Sequence, residues 1–66
     1  MKKYCVAVTW FSKNNIELTV VDAESLFDAF VYAGHLAEDD RPNCETIDEI
    51  KDVLFYRGMM TCAVEI

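Results

Sequence analysis

Sixty-six residues, 53% of them hydrophobic, with two glycines, one proline and a formal charge of −6, exclude a low-complexity linker, a disordered tail and a multidomain chain. The acidic balance also excludes a surface built to neutralise nucleic-acid phosphates or to lie on an anionic membrane, and leaves a basic protein partner open. A domain this small buries only roughly 60% of its unfolded surface, so residues 1–66 are expected to form one α+β domain of marginal stability.

The chain begins with two lysines and an apolar run, "MKKYCVAVTWF". The run is short for a signal peptide and no small-residue cleavage site follows, and no segment approaches the ~20 apolar residues of a membrane span. The expected location is the cytoplasm. Residues 3–11, "KYCVAVTWF", and 16–22, "IELTVVD", are rich in β-branched and aromatic types and flank "SKNN", which reads as a β-hairpin. A two-residue Asn14–Asn15 turn would place Trp10 on the Glu17 face. A three-residue loop, Lys13 to Asn15 with Asn15 near the left-handed region, pairs Trp10 with Leu18 and Val8 with Val20. Matching the stronger apolar sets favours the second register.

Helix is expected from Asp22, as N-cap, to about Glu38, with Leu26, Phe30, Ala33 and Ala37 in one stripe and small Ala33 and Gly34 letting the backbone approach the sheet. Pro42 ends helical continuation. Residues 45–58, "ETIDEIKDVLFYRG", can be read two ways. Thr46 and Glu49 form a capping box that opens a helix bearing Ile47, Ile50, Val53 and Leu54, with Gly58 after its end. As a strand, "DVLFY" has suitable residue types. The periodicity favours the helix, which gives β-β-α-α-β, with β-β-α-β-β as the alternative. In the closing strand, Met60, Cys62, Val64 and Ile66 match the inner apolar face. Both orders describe an antiparallel sheet with helix packed on one face.

No motif names a reaction. His35 is the only histidine, is expected on the helix surface, and has no nucleophile or acid at a telling spacing. The acids lack calcium-loop spacing, and no glycine-rich phosphate loop exists. Cys5 and Cys62 read as small buried hydrophobes and Cys44 as an exposed thiol, with no disulfide. The expectation is therefore a protein without enzymatic activity, metal or cofactor.

Two surfaces remain as candidates. "EDDRPNCETIDEIKD", residues 38–52, holds seven acids (Glu38, Asp39, Asp40, Glu45, Asp48, Glu49, Asp52) against Arg41 and Lys51, five of the six net negative charges. It is a candidate contact for a basic surface. The sheet face opposite the helices is expected to carry Phe11, Thr9, Val21 and Met59, with Cys5, Ala7, Thr19, Thr61 and Ala63, and few charges. Such a face suits a homodimer or a foreign protein.

The hairpin "KYCVAVTWFSKNNIELTVVD", the helix "AESLFDAFVYAG" and the short acidic remainder together resemble small proteins of bacteriophages and other mobile elements, among them anti-CRISPR inhibitors and related counter-defence proteins. The resemblance covers the whole chain in size, charge and element order, and carries over no functional residue. It implies a stoichiometric inhibitor or adaptor acting in a host cytoplasm, blocking a host protein surface, often a basic nucleic-acid groove. A homo-oligomeric structural or assembly accessory is the alternative reading.

Overall fold

Alternate residues of the first strand, Tyr4, Val6 and Val8, are buried, and this strand forms the centre of the fold. The computed structural model describes residues 1–66 in the order β1 (Lys2–Trp10), β2 (Ile16–Ala23), α1 (Leu26–Tyr32), a 3-10 turn (Glu38–Asn43), α2 (Ile47–Tyr56) and β3 (Met59–Glu65). The sheet is antiparallel in the order β2-β1-β3. The expected β-β-α-α-β order holds, and the strand reading of residues 46–57 does not.

Both helices pack on one face. Phe27, Ala29 and Phe30 of α1, Ile50 and Leu54 of α2, and Leu36 and Cys44 of the connection meet Tyr4, Val6, Val8, Ala23 and Met59 of the sheet. α1 lies over β2 and β1, and α2 over β3. The second helix starts as its sequence dictates: the Thr46 hydroxyl accepts from the Glu49 N–H (3.2 Å), and the Glu49 carboxylate accepts from the N–H groups of Thr46 and Glu45 (both 3.1 Å).

The first helix departs from expectation at both ends. β2 continues through Ala23, so Asp22 is a strand residue and Ser25 is the N-cap, its hydroxyl accepting from the Asp28 N–H. The helix stops at Tyr32, not near Glu38. Gly34 has φ +88° and sits just after the C-cap Ala33, with Gly34 N–H donating to Val31 O and His35 N–H to Phe30 O (both 3.0 Å). That is a Schellman ending, which satisfies carbonyls otherwise left open. A Cβ at Gly34 would meet nothing within 4 Å, so its glycine serves backbone conformation and not close approach to the sheet.

The hairpin register differs more consequentially. Thr9 pairs with Ile16, Ala7 with Leu18 and Cys5 with Val20, whereas Val8 pairs with Glu17. The loop is five residues long, Phe11 to Asn15, and no non-glycine residue has positive φ, so Asn15 is not left-handed. Phe11 leaves the hairpin early: its N–H donates to Gly58 O (2.9 Å), and its ring meets Phe55 edge-on at 5.0 Å. Tethering there lengthens the loop and shifts the parity of β2. Trp10 thus shares the face of Glu17, the arrangement set aside when apolar sets were matched. On β2 and β3 the helix-covered side carries Glu17, Thr19, Val21, Ala23, Met59, Thr61, Ala63 and Glu65. Leu18, Val20, Met60, Cys62 and Val64 face away from the helices, opposite to expectation.

Candidate functional site

Three rows cross the uncovered face: Ile16–Thr9–Met60, Leu18–Ala7–Cys62 and Val20–Cys5–Val64. A fourth holds Asp22, Lys3 and Ile66, the last tied by its N–H to Lys3 O at 2.8 Å. Ile16, Leu18, Val20, Met60, Val64 and Ile66 are each 53–66% exposed. The three inner rows contain no charged residue. An antiparallel sheet open to water ordinarily alternates to polar on its outer side, and here Glu17 and Thr19 of β2 and Thr61 and Glu65 of β3 lie toward the helices instead. A continuous apolar face of this kind, unlike scattered single residues, marks a contact surface.

Of the four residues expected on this face, Thr9 lies there. Val21 is half-buried beneath α1, Met59 is buried in the core, and Phe11 stands at the hairpin end against Phe55. The residues that make the face apolar, Ile16, Leu18, Val20, Met60 and Val64, went unassigned to it because matching apolar sets assumes that the stronger set goes inside. Their regular alternation on two strands was the available signal. The cysteines invert as well: Cys44 is 2% exposed, Cys5 is half-buried and Cys62 exposed, and all three are free thiols. Burial, and secondarily the nearby Asp40 carboxylate, push the Cys44 thiol pKa up, so it is a poor nucleophile.

The acidic segment divides into committed and free carboxylates. Arg41 donates to both oxygens of Glu38 (2.8 Å each) and to Asp28 (2.7 Å), while its guanidinium covers the Phe27 ring at 4.4 Å. These bonds hold the carboxyl pKa values of Asp28 and Glu38 below the ordinary range. Asp40 accepts two bonds from Arg57 (2.7 and 3.1 Å) and one from the Ala37 N–H (3.0 Å), which lower its pKa to about 2. Asp40 lies well beyond the end of α1, and its carboxylate links the 3-10 turn to the end of α2. Glu49 is spent on the capping box. Asp39, Glu45, Asp48 and Asp52 have side chains engaged in no ion pair or hydrogen bond within the chain.

His35 is not a helix-surface residue. Its side chain is 7% exposed, its ring meets Trp10 edge-on at 5.7 Å, and Nε2 is 3.5 Å from Glu17 Oε1. Lys13 Nζ stands 5.2 Å from the other partner in this stack, the Trp10 ring. The group places no nucleophile beside the imidazole. An open groove between the starts of the two helices is lined by Ser25, Phe27, Arg41, Cys44, Glu45 and Thr46 among others; Ser25, Arg41 and Thr46 are occupied by the bonds already described, and the Glu45 carboxylate is free. No group of three or more His, Cys, Asp or Glu side chains is arranged to hold a metal ion. No helix is long and apolar enough to cross a membrane. Comparison with protein-family models, curated proteins and solved structures finds no match.

Proposed function

We propose that this protein is a non-catalytic protein-binding module that works by stoichiometric contact through its uncovered sheet face. The observation that carries the reading is the placement of Ile16, Leu18, Val20, Met60 and Val64 in register on the side opposite both helices. Burying an aliphatic side chain fully stabilises by about 1.5–3 kcal/mol, so one already half-covered contributes about 1 kcal/mol more. Five such residues supply about 5 kcal/mol, against an association cost of 4–15 kcal/mol. Apolar burial alone thus supports a reversible contact, and polar or charged contacts at the rim set its final strength. Leu18→Asp tests the reading at concentrations where the chain is monomeric: the fold persists by circular dichroism and binding of an apolar-surface dye falls. Unchanged dye binding would remove the face from consideration.

A second reading concerns the helix layer. Asp39, Glu45, Asp48 and Asp52 keep free carboxylates on the side away from the sheet face, a supply of negative charge for a basic protein surface. This reading retains the inhibitor or adaptor role implied by the resemblance to counter-defence proteins, with four acids in place of the seven of the whole segment. Charge of this kind acts mainly on association rate and is screened over about 8 Å at physiological salt.

A further inference from the structure

We propose that the occupant of the uncovered sheet face is a second copy of this chain, packed sheet on sheet about a two-fold axis running along the strands between β1 and β2. The proposal rests on the reading of that face as a binding surface, and adds the partner and the geometry.

Relief comes first. The middle strand presents small residues outward, Cys5, Ala7 and Thr9, between a β2 ridge of Ile16, Leu18 and Val20 and a second ridge on β3. The face is a shallow trough with raised sides. A two-fold axis between β1 and β2 lays the β2 ridge of each copy into the β1 trough of the other. Rotation about an axis parallel to the strands keeps each row at its own level, so Leu18 falls over the second copy's Ala7. The contact is isologous and closes at two copies. Two sheets packed in this way stand about 10 Å apart, with mean strand directions within about 30°.

Charge gives the second argument. The same operation brings Lys3 of each copy opposite Asp22 of the other, because these two residues share the end row on β1 and β2. Both are exposed, and neither is in an ion pair within its own chain. The side chains of the face carry no net charge, unlike those of the chain as a whole. The free carboxylates of the helix layer lie on the far side of a body whose shortest extent is 17 Å, about twice the ~8 Å screening length at physiological salt. Two chains of charge −6 can therefore meet by these faces without bringing their acids together.

A standard interface takes about 800 Å² from each partner, just under one fifth of the 4329 Å² this chain exposes. The axis sets β1 and β2 against β2 and β1 of the second copy and leaves β3 at the edge of the overlap, where Met60 and Val64 flank the β2 ridge of the second copy.

The test is sedimentation equilibrium of the full chain from micromolar to several hundred micromolar. The expected result is a reversible dimer. Leu18→Asp should weaken dimerisation at least 100-fold with the far-ultraviolet circular dichroism of a folded chain. Lys3→Glu and Asp22→Lys should each weaken it several-fold, and the double variant Lys3→Glu/Asp22→Lys should recover most of the loss, whether or not Leu18→Asp folds. A dimer indifferent to both charge reversals, or one not rescued by the double variant, overturns the proposed axis and with it the proposal. A wild-type monomer at every concentration overturns it too. In that case dye binding separates the remaining readings: a monomer whose dye binding is lost in Leu18→Asp keeps a binding face for a foreign partner, and a monomer that binds no dye loses the binding-face reading as well.

Discussion

Asp40 shows how far a single carboxylate can be removed from the surface role its neighbours suggest. Bonds from Arg57 and from the Ala37 N–H hold its pKa at about 2, against an ordinary 3.8. A carboxyl whose folded pKa is depressed stabilises fully above its unfolded pKa and loses that contribution as pH falls through the folded one. Asp40→Asn is therefore expected to cost about 0.5–1 kcal/mol at neutral pH. The gap to wild type should narrow below about pH 4 and close near pH 2, read from urea unfolding at a series of pH values. Asp28 and Glu38, both lowered by Arg41, act in the same direction. Gly34 is a second residue whose part is conformational. Gly34→Ala must place a Cβ at φ +88°, which costs about 1–2 kcal/mol although the space around it is open; Gly34→Asn should cost less. Denaturant midpoints decide between this account and close packing, which would penalise Asn more than Ala. In the monomer, thiol chemistry separates the cysteines: a thiol-reactive disulfide should label exposed Cys62 first, half-buried Cys5 more slowly, and Cys44 only on unfolding.

The elements differ in how much of them the sequence could disclose. Local chemistry favoured α2: Thr46 and Glu49 at capping-box spacing and Gly58 after the last turn tipped residues 45–58 toward helix, although the residue types of "DVLFY" also allowed a strand. Thr46→Ala should accordingly cost about 1 kcal/mol in urea unfolding. The end of α1 was equally local in its cause but readable two ways, because a late glycine suits close packing as well as a left-handed cap. Strand faces were the least legible. Parity in β2 depends on where the hairpin closes, and that depends on Phe11, held by a carbonyl and a ring more than forty residues along the chain, Gly58 and Phe55. Matching apolar residues could not find that register, since the larger aliphatic set on β2 lies outside. For the same reason the candidate face was legible as a place, the side opposite the helices, while most of its residues were not. A paired substitution checks the register. Val8→Asp buries an unpaired charge at a site 1% exposed and should unfold so small a domain, while Leu18→Asp should remain folded. Unfolding by Leu18→Asp alone would restore the rejected register.

Across the whole molecule, charge and apolar surface are partitioned to opposite sides. The helix layer takes the free carboxylates and the outward sheet face takes the aliphatic residues, with Lys3 and Asp22 at its end. This partition predicts that the acidic segment is not one functional unit. Neutralising Asp39, Glu45, Asp48 and Asp52 to Asn or Gln removes four negative charges that have no cation partner in the chain, and relieves repulsion among them. Stability should stay within about 0.5 kcal/mol of wild type or rise slightly, as for surface changes away from specific contacts. Neutralising Asp40 and Glu49 instead removes the link to Arg57 and half of the α2 capping box. That pair should cost about 1–2 kcal/mol in urea unfolding, as a lost ion pair and a lost cap together. If the four-residue variant is the less stable of the two, the free carboxylates have structural partners and the division fails. If the order is as expected, the four-residue variant is the one with which to measure binding to a basic protein. A slower association rate and a flatter salt dependence would then report on the partner surface alone, with the fold intact.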